Sequence, residues 1–151
     1  MKTLLTSVAL LALLFPFRAK AALGGDVTSI EADRAQMNGK REVRPANLYT
    51  VHEIAAANKT VVREYISPAG VVFGVGWQGQ FIPDMHQLLG AYFDQYAQAV
   101  KEQKASYVGR RPLDIQLPGL VVQMTGHMRA FAGRTYIPEQ VPQGVKVEDL
   151  W

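Results

Sequence analysis

The chain contains no cysteine. That excludes disulfide, thiol and iron–sulfur chemistry, and attachment of a lipid through a cysteine. It also lacks a long hydrophobic run. The longest, Leu4–Phe17, is about fourteen residues, short of the roughly 20 a helix needs to cross a bilayer. No phosphate-binding loop, GxSxG elbow, HExxH helix or dinucleotide fingerprint occurs. Internal repeats and low-complexity tracts are missing too, so neither a solenoid nor a disordered array is expected.

What is present begins with an address. Met1-Lys2-Thr3 is a short positive start, Leu4–Phe17 is apolar, and Ala19-Lys20-Ala21 puts small residues where a signal peptidase reads. This is the layout of a secretory signal with cleavage after Ala21. The competing reading is an uncleaved anchor, since Arg18 and Lys20 resist crossing. Removal of residues 1–21 leaves 130 residues, one comfortable domain. It also removes Lys2, Arg18 and Lys20, so thirteen basic residues then match thirteen acidic ones. Nucleic-acid binding by bulk electrostatics needs a basic surplus, and the mature chain has none. Arg110-Arg111 reads as solvated surface. The localisation expected is periplasmic or secreted, with no membrane span after signal removal.

The mature chain reads as α+β: an antiparallel sheet of about five strands, one long helix packed across it, and a short N-terminal helix. That first helix is expected over Leu23–Asn38, capped by Asp26 or Thr28. With the linker Gly39–Asn47 it fills a segment 22–47 ahead of a single domain at 48–137. Candidate strands are Tyr49–Ile54, Thr60–Ile66 and Val71–Trp77, rich in β-branched and aromatic residues. Ser67-Pro68-Ala69-Gly70 is a turn that pairs Ser67 with Val71. Regular alternation from there puts Val61, Tyr65, Phe73, Val75 and Trp77 on one face, the expected core face. Asp84 sits at a helix N-cap, and Met85, Leu88, Leu89, Tyr92, Phe93, Tyr96 and Val100 follow helical spacing over about residues 85–104. Ala105–Gly119 reads as an irregular loop. Leu120–Ile137 has strand composition, with a hairpin turn at Thr125-Gly126 favoured over Ala132-Gly133. Pro138–Trp151 reads as a loosely ordered tail from which Val145, Val147 and Trp151 could dock.

Candidate chemistry is sparse. His52, His86 and His127 are the three histidines, and they lack the HxH or HxxxH spacing of a metal site. Gly74-Val75-Gly76 is a flat patch that lets another backbone approach, not a nucleotide loop. One pairing has more content. If Ala56 pairs with Thr60 around a three-residue loop, Glu53 faces Arg63 and His52 faces Glu64. The two-residue alternative opposes Glu53 to Glu64, which like charges disfavour. The chosen register places His52 and Glu64 beside Gly74, on the less hydrophobic face. A histidine next to a carboxylate is either an ordinary cross-strand pair or general acid–base apparatus.

The stretches TVHEI, VREYISPAGVVFGVGWQG, PDMHQLLGAYF and GHMRAFAGRTYIP, with LGGD at the mature start, resemble domain of unknown function 2844. That is a family of small exported bacterial proteins. The resemblance spans about residues 23–147 and implies export and a single domain, with no catalytic residue assigned. The function expected is a non-enzymatic binding or interaction protein of the bacterial envelope. Its partner would be an unknown envelope protein or small ligand, met through the Phe81-Ile82 loop, a sheet edge near Tyr49 and the apolar tail. The alternative is a small hydrolase or lyase using His52 and Glu64, with His127 or Asp84 assisting. No cofactor is implied.

Overall fold

The computed structural model describes residues 22–106 and 112–151. The segment 1–21, expected to be a signal, and Arg110-Arg111 lie outside them. Among the described residues seven strands form one antiparallel sheet: β1 Lys40–Pro45, β2 Thr50–Ala55, β3 Val61–Ile66, β4 Val72–Gly79, β5 Leu113–Leu117, β6 Leu120–His127 and β7 Ala130–Tyr136. Their order across the sheet is β1-β2-β3-β4-β7-β6-β5. Two meanders thus meet where β4 pairs with β7. The helices α1 (Val27–Gln36), α2 (Met85–Leu89) and α3 (Phe93–Ser106) supply residues to the principal core beside the sheet.

The α+β class holds, but the strand number is seven, not about five. The two additional strands are the sheet edges. β1 replaces the expected linker. Its six residues are all exposed, and it carries charge where an ordinary strand carries apolar side chains. Arg44 bridges Glu42 at 3.1 Å and Glu53 at 3.2 Å, and Arg63 binds Glu53 at 2.8 Å. These contacts offset the direct opposition of Glu42 to Glu53 in the register. β5 replaces part of the expected crossing loop. Charge and Pro45 on a sheet edge discourage pairing with other chains, which is why β1 does not look like a strand.

The first helix is also shorter than expected. Asp26 caps it, its carboxylate accepting from the Thr28 N–H at 2.9 Å. The chain before it forms a turn, with the Gly25 N–H donating to the Ala22 carbonyl at 3.1 Å, and the Gly24 N–H donates to the Val72 carbonyl at 2.8 Å. Ile30 anchors α1, being fully buried in the core. The second helical stretch starts where Asp84 predicts, its carboxylate accepting from the His86 and Gln87 N–H groups at 2.9 and 3.3 Å. It is not continuous. Gly90, at φ +47°, ends α2, and a 3-10 turn over Gly90–Tyr92 leads into α3.

The expected alternation along β4 fails at one residue. Tyr65 pairs with Gly74 but Ile66 pairs with Val72, so Phe73 is an extra residue in a bulge. A bulge inverts the facing of everything beyond it. The predicted single aromatic face is therefore split in two. Trp77 and Val75 join Ile54, Val62, Leu88, Leu89, Leu120 and Val122 in the principal core under the helices. Tyr65 and Phe73 turn to the opposite face.

That second face is covered by the tail. Leu150 is completely buried against Tyr65 and Phe73, with Val141, Val145 and Val147 packed around them. The Arg134 guanidinium donates to the Val147 carbonyl at 2.5 Å and lies 4.8 Å from the Trp151 ring. The Arg63 guanidinium and the Tyr65 hydroxyl both donate to the Trp151 main-chain oxygen, at 3.0 and 3.2 Å. Gly76 makes the room: a side chain there would meet the backbone of Leu150 and Trp151 at 3.0–3.3 Å. The flat glycine patch thus does admit another backbone, the chain's own, and the segment expected to be loose is packed. The last hairpin also differs from expectation. Its turn is Met128-Arg129, between His127 and Ala130, not Thr125-Gly126 or Ala132-Gly133. Gly133 instead lies under Trp77, whose ring leaves no space for a side chain at that position.

Candidate functional site

The register between β2 and β3 is the one that charge pairing selects. His52 faces Glu64 and Glu53 faces Arg63, and the Ala56 N–H donates to the Thr60 carbonyl at 2.9 Å. The facing differs from expectation. Glu64 pairs across β4 with Val75, not Gly74. The bulge at Phe73 puts His52 and Glu64 on the same side as Trp77 and the helices, inside the principal core.

Glu64 is wholly buried and His52 nearly so, at 0% and 7% exposure. A third buried group joins them. Asp33, 3% exposed, projects from α1, and its carboxyl adjoins that of Glu64. From α2, the Gln87 side-chain amide donates to Asp33 Oδ1 at 2.5 Å. Asp33 Oδ2, both Glu64 carboxyl oxygens and His52 Nδ1 meet no ordinary donor or acceptor among the described residues. Buried polar atoms without partners are uncommon in folded proteins.

Burial is the main force on the ionisation of this group. It pushes Glu64 up to about 9, and the adjoining Asp33 charge pushes in the same direction. Burial raises Asp33 as well, against the hydrogen bonds from Gln87 and Glu64 that favour its ionised form. His52 is held below its ordinary value, first by burial and then by the nearby Arg41 cation. At neutral pH the arrangement is therefore a protonated Glu64 against a second buried acid, Asp33, beside a neutral histidine. A carboxylic acid and a carboxylate sharing one proton is the arrangement two adjoining buried acids adopt.

The sequence marks Gln87 only as a capping-box residue for Asp84, and it does not mark Asp33 as a site residue. The signal for Asp33 was there: Ile30, Asp33 and Met37 fall at i, i+3 and i+7, so an acid occupies the apolar stripe of α1. Gln87 stands where a capping-box partner of Asp84 would, but its amide is spent on Asp33. The other candidates are scattered. Asp84 is an exposed helix cap. His86 is exposed on α2 with its ring 4.9 Å from Phe93. His127 is exposed at the end of β6. The three histidines thus sit on three separate elements, and no group of three metal-ligating side chains occurs among the described residues.

The suggested partner-binding residues divide as well. Phe81 and Ile82 are 54% and 42% exposed, just past the end of β4. Met128, 84% exposed, is at the tip of the β6–β7 hairpin, and Gly79 of β4 pairs with Phe131 of β7. All three therefore stand at one end of the sheet. Tyr49 is at the other end, half-buried, with its ring 5.7 Å from Tyr65 and 6.1 Å from Phe73. No helix among the described residues is long and apolar enough to cross a membrane.

A family model matches residues 19–150. The chain belongs to that family, which is described as a protein of unknown function, DUF2844. No curated protein and no solved structure matches the chain.

Proposed function

We propose that the protein is exported and works, in the periplasm or outside the cell, as a non-enzymatic binding protein of the bacterial envelope. The observation that carries this reading is the contrast between its two kinds of candidate group. The acid–base residues are sealed inside the core, whereas Phe81, Ile82 and Met128 stand exposed at one end of the sheet. Large apolar side chains grouped on a surface are sites of association, and this end is built from hairpin and loop termini that can present them without disturbing the core. The signal-like pattern of residues 1–21 supports export. The partner this surface suits is an apolar segment of another envelope protein.

The test is a pull-down from the native envelope with the mature chain and with the Phe81→Ser, Ile82→Ser double variant. A species retained by the parent and lost with the folded double variant supports the reading. Equal retention by both, or none by either, refutes it. The competing reading, a small hydrolase or lyase using His52 and Glu64, has their register pairing in its favour. It requires substrate to reach a carboxyl group with no solvent exposure. Retention of any measured hydrolytic or lyase activity by His52→Ala and Glu64→Gln variants removes it.

A further inference from the structure

Two carboxyl groups in contact inside a protein core cannot both be charged at ordinary pH, and among the described residues no cation is in contact with Asp33 or Glu64. The Gln87 amide serves one oxygen of Asp33. The remaining oxygen of Asp33 and both of Glu64 have no hydrogen-bond partner among the described residues, so a proton held between the two acids is the donor that their contact needs. The two residues come from different layers. Asp33 is on α1 and Glu64 is in the third strand of the sheet. The bond between them therefore ties helix to sheet, with Gln87 of α2 attached to the same point.

We propose that this shared proton is a latch that fastens α1 and the start of α2 to the sheet, and that its loss at alkaline pH releases α1 while the β4–β7–β6 centre of the sheet stays folded. Every element facing the pair supports this sense. On α1 itself the other charges, Glu31 and Arg34, pair with each other on the outer side at 2.7 Å. From β1, Arg41 attracts the pair electrostatically, but its guanidinium is bound to Glu31 at 3.2 Å. From β2, His52 is neutral at and above neutral pH and brings no compensating charge. β4 offers Val75 and α2 offers the uncharged Gln87. A second negative charge at this point would thus find no partner, and separation of α1 from the sheet is the movement that admits water to it.

The experiment is a carboxyl 13C NMR titration of the mature chain, with amide exchange corrected for its intrinsic pH dependence and followed over residues 27–36 and 120–136. The Glu64 carboxyl is expected to titrate well above neutrality. Exchange in α1 is expected to accelerate at least tenfold across the same midpoint, with β6 and β7 unchanged. Glu64→Gln keeps a donor to Asp33 and has no proton to lose, so the alkaline acceleration should vanish. Asp33→Asn removes the adjoining charge and supplies a donor, so the Glu64 midpoint should drop by a unit or more. Titration of Glu64 in the ordinary carboxylate range overturns the proposal. So does α1 exchange that stays flat across the midpoint or rises together with the sheet, or an alkaline transition that survives in Glu64→Gln.

Discussion

Leu150→Ala tests whether the last fourteen residues belong to the fold. Leu150 is fully buried between Tyr65, Phe73 and the valines of its own segment, and its Cδ1 would lie 3.2 Å from a Cβ placed at Gly74. Truncating a buried leucine costs about 2–5 kcal/mol, the lower values belonging to sites that can close over the cavity. Leu150 lies near the end of a strap that can settle inward, so about 2–3 kcal/mol is expected. With a urea dependence of about 1.5 kcal/mol per molar, within the usual range for small domains, the unfolding midpoint should fall by roughly 1.3–2 M. Glu139→Ala, exposed in the same segment, is the control and should stay within about 0.5 kcal/mol. Equilibrium urea unfolding followed by circular dichroism reads both. A midpoint shift below about 0.3 M for Leu150→Ala would refute the packing argument and restore a tail that merely rests on the sheet.

Other consequences can be checked alongside it. Gly133→Ala drives a methyl into the Trp77 ring, where an ideal Cβ would lie sterically overlapped. It should cost about 1–3 kcal/mol or more and shift Trp77 emission, read in a thermal melt with fluorescence detection. Wild-type stability should fall as pH rises. The unfolded chain releases the Glu64 proton near 4.5 and the folded one only near 9, so between those values the folded state binds more protons and stability declines with each unit. Urea midpoints measured from pH 5 to 9 should show the decline, and Glu64→Gln should flatten it. Phe81→Ser and Ile82→Ser, at exposed positions, should each change stability by no more than about 0.5 kcal/mol, measured by the same urea curves.

Much of the scaffold is legible in the residues, and the misses have identifiable causes. Asp26 and Asp84 mark helix starts because a carboxylate satisfies the free N–H groups there. The β2–β3 register follows from Glu53, Arg63 and Glu64 because like charges cannot face each other cheaply. β1 is hidden because KREVRP has the composition of a loop; its strand is held by cross-strand ion pairs and by Gly39, where a side chain would strike Ile54. The β6–β7 turn is hidden because Met128-Arg129 contains no glycine, although Arg129 takes φ +63°. Gly126 and Gly133 have the composition of turn residues but lie within β6 and β7. The bulge at Phe73 has the largest effect on the site. A one-residue shift moves Glu64 from a face shared with Gly74 to one beneath Trp77 and the helices. No local pattern announces it, since both faces of β4 are apolar enough to be buried. Asp33 was visible as an acid in an apolar stripe, but its meeting with Glu64 joins residues thirty-one positions apart, and only the tertiary packing of α1 brings them together.

The most direct measurement of the proposed role is photo-crosslinking in the living cell. A photoreactive residue is placed at Ile82 in the exported chain, and another at Glu139, which is exposed near the opposite end of the sheet. The account predicts a discrete light-dependent adduct with an envelope protein from position 82 and none from position 139. Adducts of equal yield from both positions, or none from position 82 in a chain shown to be folded and exported, would contradict it.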